Sequence, residues 1–223
     1  LVVLGILSMV VGAFLAIGQR DIKRMFAYSS ISQIGYIVFA LGVGTPLALL
    51  GGLFHLFNHA ISKSLLFLNA GSIEYSAHTR DLKKMGGLNI RLPVTGQTSL
   101  IGSMAIAGVP PLGGFWSKLI IIIAAVQAGY FISATVAVLV SIITLAYYLK
   151  FQTYAFFGKL SKPCLEIKEV PSVMQFSMVA LAGMCIISGL LIAPLFRPFL
   201  QSAVDVLLLG NGYKDVVFGA IIK

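Results

Sequence analysis

Apolar residues in this chain fall into runs of about 17 to 28, each bounded by a short polar and often basic stretch. Runs of that length cross a ~30 Å hydrocarbon core as helices. Lipid offers no hydrogen-bond partner to the backbone, so a spanning segment satisfies its amides as a helix or within a closed barrel. A barrel would show alternating segments of ~10 residues, and this sequence has none. Composition agrees: 58% of residues are hydrophobic and only 10% charged, against about a quarter charged in soluble domains. The expected fold class is an all-α polytopic membrane protein with about six transmembrane helices.

The spans are expected at roughly 1–18, 25–43, 46–73, 94–128, 130–157 and 172–196. The fourth is too long for one straight helix and contains "AGVPPLGGFWSK" at 107–118. Pro110 and Pro111 remove backbone donors, and Gly108, Gly113 and Gly114 loosen the chain, so the helix should break in mid-membrane. Irregular backbone at that depth survives only where protein buries it or where it lines a watery cavity.

The net charge is +9, but the cations concentrate beside the spans and no nucleic-acid-binding motif accompanies them, so no nucleic-acid partner is expected. Their distribution sets topology instead. Arg20, Lys23 and Arg24, then Arg80, Lys83, Lys84 and Arg91, then Lys159, Lys162 and Lys168 occupy alternate connections. The connections near 43–46 and 128–130 carry none. By the positive-inside rule the basic loops face the cytoplasm, which predicts an integral protein of a prokaryotic cytoplasmic membrane. The pattern holds only if the broken segment counts as one crossing. Cys164 and Cys185 sit in a loop and a span, suggesting neither a disulfide framework nor a metal site. The chain begins at Leu1 with no basic region before the apolar run, so that run is expected to be a span rather than a signal peptide, and the chain a piece of a longer protein. After Arg197 the tail has two apolar pieces shorter than a span, suited to the membrane surface or to docking on a partner.

Ionisable residues inside the spans are the candidates for function. In "LFHLFNHAISKSLLF", His55, His59 and Lys63 are four residues apart, which places them in one helical stripe about 12 Å long. A charged group at the bilayer centre costs at least ~2.5 kcal/mol, so such residues face a bundle interior or a hydrated path. Waters linking neighbouring side chains would make the stripe a relay. Metal ligation is a rival, weakened by the lack of a glutamate or an evident third ligand; so is plain interhelical hydrogen bonding, with Lys63 snorkelling. Lys118 follows the Pro/Gly break and begins an apolar half-helix. Desolvation penalises the charged form of a buried amine, which suits Lys118 to exchange a proton; alternatively, carbonyls freed at the break simply pin it. Lys150 lies nearer the end of its span and is expected to snorkel. All seven acidic residues, Asp21, Glu74, Asp81, Glu166, Glu169, Asp205 and Asp215, fall outside the expected spans, so the membrane lysines have no carboxylate counterion in this chain.

The segments "DIKRMFAYSSISQIGY", "FHLFNHAISKSLLFLNAGSI", "TRDLKKMGGL" and "GVPPLGGFWSK", in this order and spacing, resemble the antiporter-like proton-translocating subunits of respiratory complex I, Mrp-type sodium/proton antiporters and energy-converting membrane hydrogenases. The resemblance covers residues 1–160 densely. It implies a fold of two inverted five-helix repeats, each with a discontinuous helix. Residues 1–157 would supply the second repeat, and residues 158–223 a cytoplasmic loop, the last helix and a tail. It further implies that Lys118 is the terminal proton site, that Lys63 passes protons toward it with His55 and His59 between them, and that Lys23 is the family's lysine at a helix end. A plain topogenic role suits Lys23 nearly as well. The family's first repeat, with its membrane glutamate and lysine, is not in this sequence, so a complete pathway needs that half as well. The implied function is proton translocation in a redox-driven ion pump of NADH dehydrogenase or hydrogenase type. Partners would be other membrane subunits, the lipid bilayer and protons, with no cofactor in this chain. The alternatives are an Mrp-type antiporter subunit, with sodium as a coupling ion, and a non-conducting structural piece of a membrane arm.

Overall fold

A computed structural model describes residues 1–159, 167–190 and 197–209. Among them the regular structure is helical, with one isolated bridge between Asp21 and Asp81. Six helices come first: α1 (Val2–Gly18), α2 (Ile22–Val43), α3 (Pro46–Ala77), α4 (Pro93–Ala107), α5 (Gly113–Gln127) and α6 (Phe131–Ala155). After the 156–171 connection come α7 (Ser172–Leu190) and α8 (Arg197–Leu209). With α4 and α5 as halves of one interrupted segment, each of the six expected spans is largely helical over its described residues. Residues 160–166, with Cys164 and Glu166, and 191–196, the end of the sixth expected span, lie outside the described residues, as does Asp215.

Helices α2, α6 and α7 are long and apolar enough to cross a membrane, whereas α1 and α5 are shorter apolar helices. The longest helix, α3, has 32 residues and so reaches about 48 Å, overshooting the hydrocarbon core. It carries several buried polar residues and packs against α2, α4, α5, α7 and α8. Its polar face is turned inward, while Leu56, Phe57 and Phe67 stay exposed on the other side.

Local signals fix the ends. Asp21 caps α2 by accepting from the Arg24 amide at 2.9 Å, and Gly44 closes it in the left-handed conformation. Thr45 caps α3, with Pro46 in its first turn, where a missing donor costs nothing. Helices α1 and α2 approach closely through small residues: a Cβ on Gly12 would meet the Ser32 backbone at 2.6 Å. Such contacts replace the hydrophobic drive that lipid does not provide.

The three basic connections share one face. Ile22 N donates to Arg80 O and Leu82 N to Arg20 O, while Gly87 N and Asn89 N donate to Phe157 O and Phe156 O. This agrees with the expected alternation of loops. Of the tail, the described residues form α8, which packs on α3 with Val204 buried; residues 210–223, with the second apolar piece, lie outside the described residues.

Candidate functional site

The break between α4 and α5 is narrower than the sequence suggests. Gly108 ends α4 in the left-handed conformation, and Val109 to Leu112 form the irregular stretch around the Pro110–Pro111 cis peptide. Gly113 and Gly114, expected to belong to the break, instead form the first turn of α5. Their lack of side chains serves close packing. A Cβ on Gly114 would collide with the Ala105 carbonyl oxygen, and one on Gly113 with Asn58 Oδ1.

Ending α4 at Ala107 leaves its last carbonyls without amide partners. Lys118 takes them: its Nζ donates to Ile106 O at 2.9 Å and Ala107 O at 3.3 Å. The partial negative charge of a helix C-terminus favours a cation there. The amine also stands 5.1 Å from the centre of the Tyr36 ring, and Lys118 is 3% exposed. A cavity of about 240 Å³ between α5 and α6 reaches it, lined by Gly108, Phe115, Ser141 and Ile142 among others.

His55 and Lys63 are buried on α3, and His59 between them is half-buried. His55 Nδ1 lies 2.9 Å from Ser117 Oγ, the neighbour of Lys118, and its ring stands 5.6 Å from that of Tyr36. Two turns along, Lys63 Nζ donates to Phe26 O at 2.8 Å and to the Tyr148 hydroxyl at 3.1 Å, with the Phe26 and Tyr148 rings each 5.8 Å away. Tyr148 Oη is 3.0 Å from Ser29 Oγ, which also accepts from the Tyr147 hydroxyl at 2.9 Å.

The stripe on α3 thus runs from Lys63 past His59 to His55, which touches Ser117 next to Lys118 on α5. Three buried polar atoms on this stretch of α3 have no protein partner: His59 Nε2, Asn58 Oδ1 and His55 Nε2; Gln33 Oε1 on α2 is a fourth such atom elsewhere in the interior. Among the described residues no carboxylate pairs with either amine; carbonyls, a hydroxyl and ring faces surround them. No group of three His, Cys, Asp or Glu able to hold a metal ion occurs among the described residues.

Two lysines stand elsewhere. Lys23 is half-exposed on the loop face and pairs with Glu74 at 2.6 Å, in a cluster with Arg80 and Asp21. It is separate from the buried stripe. Lys150, expected to snorkel into water, donates to Ile17 O at 2.7 Å and Gln19 O at 3.0 Å. Its amine thus reaches the loop-face end of α1, partly exposed, where the helix-end carbonyls hold it.

Sequence reasoning missed Ser29, Gln33 and Tyr36 on α2, Ser117 on α5, and Thr144, Tyr147, Tyr148 and Gln152 on α6. The signal was present as spacing: residues 29, 33 and 36 share one face of α2, and residues 144, 148 and 152 one face of α6. Gln152 donates to Ser99 and Ser103 at 3.0 and 2.8 Å, and Thr98 to Asn69 at 3.0 Å, which extends the polar interior toward the loop face.

A family model described as NADH:quinone oxidoreductase/Mrp antiporter, TM, matches residues 1–144. The chain is 37% identical over 207 residues to a Na(+)/H(+) antiporter subunit of Alkalihalophilus pseudofirmus, covering 93% of this chain and 42% of that protein. It is 40% identical over 192 residues to an NADH-quinone oxidoreductase subunit of Rickettsia felis, covering 85% and 29%. Among solved structures, the Mrp complex from Dietzia sp. has a chain that superposes with a TM-score of 0.82 at 27% identity, covering 91% of this chain and 45% of that one. The chain thus spans less than half the length of these relatives, and its structural counterpart sits in a membrane complex.

Proposed function

Since the chain belongs to the NADH:quinone oxidoreductase/Mrp antiporter membrane family, we propose that it carries protons along the axis from Lys63 through His59 and His55 to Lys118, as part of a redox-driven, multisubunit ion pump. One observation carries this reading: two buried amines, unpaired with any carboxylate among the described residues, stand at the ends of a stripe whose intervening His and Asn atoms lack protein partners. Buried polar atoms in native proteins nearly always have a partner, protein or water. Waters linking these atoms would complete a chain of exchangeable protons.

Each residue then has a role. Lys118 holds a proton against the carbonyls that end α4, and Lys63 holds one against Phe26 O and Tyr148. A proton on one amine disfavours a proton on the other by like-charge repulsion, which low-dielectric surroundings strengthen. Loading one end therefore helps empty the other. The His55–Ser117 contact ties the stripe to the α5 half-helix, so a shift of α5 alters the link. Lys23, on the loop face, fits topology and loop packing better than transfer. The basic face would lie toward the cytoplasm of a prokaryotic cell.

An Mrp-type antiporter uses the same residues, and the 37% identity to a Na(+)/H(+) antiporter subunit over 93% of the chain keeps that reading beside the first. Sodium dependence of proton uptake separates the two. The shared axis is tested by a map of the assembled complex fine enough to place waters. Ordered water is expected between His55, Asn58 and His59; a dry, closed axis would instead make this a packing element without conduction.

A further inference from the structure

Where α1 and α6 end on the loop face, a cavity of about 300 Å³ is lined by Ile17, Arg20, Leu82, Lys83, Lys150 and Tyr154, with Gly18. Among the described residues its lining has three cations and no carboxylate. Asp21 and Asp81 line the adjoining cavity, with Arg20 and Arg24, and are already engaged. Asp21 accepts from Arg24 N and lies 3.7 Å from Arg80, and Asp81 accepts from Lys83 N. Among the described residues none of Arg20, Lys83 and Lys150 forms an ion pair. Lys150 donates to the carbonyls of Ile17 and Gln19 at the end of α1, which holds its amine in the cavity wall with the other two charges.

The surroundings indicate what offsets this charge. Phe14 and Leu15 on α1 are 60% and 43% exposed, and Tyr154 and Phe157 at the end of α6 are 50% and 53% exposed. The cavity thus opens at the level where apolar helix surface gives way to polar loops, with a tyrosine at the border, as is common at membrane–water interfaces. Basic pockets between transmembrane helices on the cytoplasmic side suit anionic lipid headgroups. We propose that Arg20, Lys83 and Lys150 bind the phosphate of an anionic membrane phospholipid, whose acyl chains lie along the exposed apolar surface of α1 and α6. Free phosphate shares the headgroup chemistry but gains nothing from the apolar flank. The site stands apart from the buried stripe and does not depend on the proton-transfer reading.

The test uses the full-length protein in mild detergent, melted with added phosphatidylglycerol, phosphatidylcholine or inorganic phosphate. Phosphatidylglycerol is expected to raise the melting temperature by several degrees more than phosphatidylcholine, and phosphate to leave it unmoved. The Arg20→Gln/Lys83→Gln variant should lose at least half of that difference. A Lys159→Gln/Lys168→Gln variant, with the same charge removed outside the cavity, should keep it. Lys150 is left intact because it also holds α1. An undiminished response in the first variant, or equal loss in both, overturns the proposal; so does stabilisation by phosphate that matches the lipid. Should the first variant fail to fold, native mass spectrometry of the delipidated wild type decides. Preferential retention of phosphatidylglycerol over phosphatidylcholine is expected, and equal retention refutes the site.

Discussion

Tyr148→Phe removes one hydroxyl and keeps the ring that packs against Phe26, 5.9 Å away. Lys63 Nζ has two hydrogen-bond acceptors, Phe26 O at 2.8 Å and Tyr148 Oη at 3.1 Å, and the variant leaves one. A hydrogen bond to a charged group contributes about 1.5–3 kcal/mol. At ~1.36 kcal/mol per tenfold in rate, loss of that bond slows a step that needs Lys63 charged by roughly ten- to a hundredfold. The Phe26 carbonyl remains, so the lower end is expected. Tyr147→Phe is the control: its hydroxyl donates to Ser29 at 2.9 Å, and no bond runs from it to Lys63. A neutral hydrogen bond contributes only about 0.5–1.5 kcal/mol, and the effect should stay below roughly tenfold. The assay is the initial rate of acidification or alkalinisation in proteoliposomes holding the assembled complex, normalised to protein, with melting curves to confirm the fold. Tyr148→Phe at the wild-type rate, or Tyr147→Phe matching it, would refute the role given to the Lys63 end of the axis.

Gly114→Ala places a methyl group on the Ala105 carbonyl oxygen and should destabilise by about 1–3 kcal/mol through overpacking, read as a lower melting temperature in detergent. Lys150→Met keeps the stem but leaves Ile17 O and Gln19 O without their donor; a cost of about 1–3 kcal/mol is expected, with faster proteolysis after α1. On the loop face, beyond the expected end of the third span at Ile73, the Lys23 ammonium first, and Arg80 after it, hold the Glu74 carboxyl below its usual value. A depressed carboxylate stabilises the fold above its unfolded value and loses that contribution as pH falls through the folded one. Glu74→Gln should therefore melt slightly lower than wild type at neutral pH and equally with it in acid, and the small neutral-pH gap should shrink in high salt.

The sequence carried the helices well because their signals are local. Run length set the crossings, and Pro110, Pro111 and Gly108 marked the break. The stripe of His55, His59 and Lys63 was equally legible, since spacing on one helix fixes a shared face. Partners from other helices were not. Tyr148 and Ser29 become ligands of the Lys63 end only because α2 and α6 turn those faces toward α3, and serine and tyrosine are too common in apolar helices to stand out alone. Gly113 and Gly114 looked like chain-looseners from composition; the proximity of Asn58 and Ala105 makes them packing residues instead. Lys150 does lie partly exposed near the end of its span, but no sequence pattern places the end of α1 beside it.

Central to the account is that Lys118 takes part in proton transfer and does not merely cap α4. Proton translocation by the assembled complex in proteoliposomes, compared between wild type and Lys118→Ala with both shown to assemble and melt alike, measures this directly. A sharp fall in translocation is predicted for the variant. Wild-type translocation without the amine would contradict the account and leave Lys118 a structural cap on a broken helix.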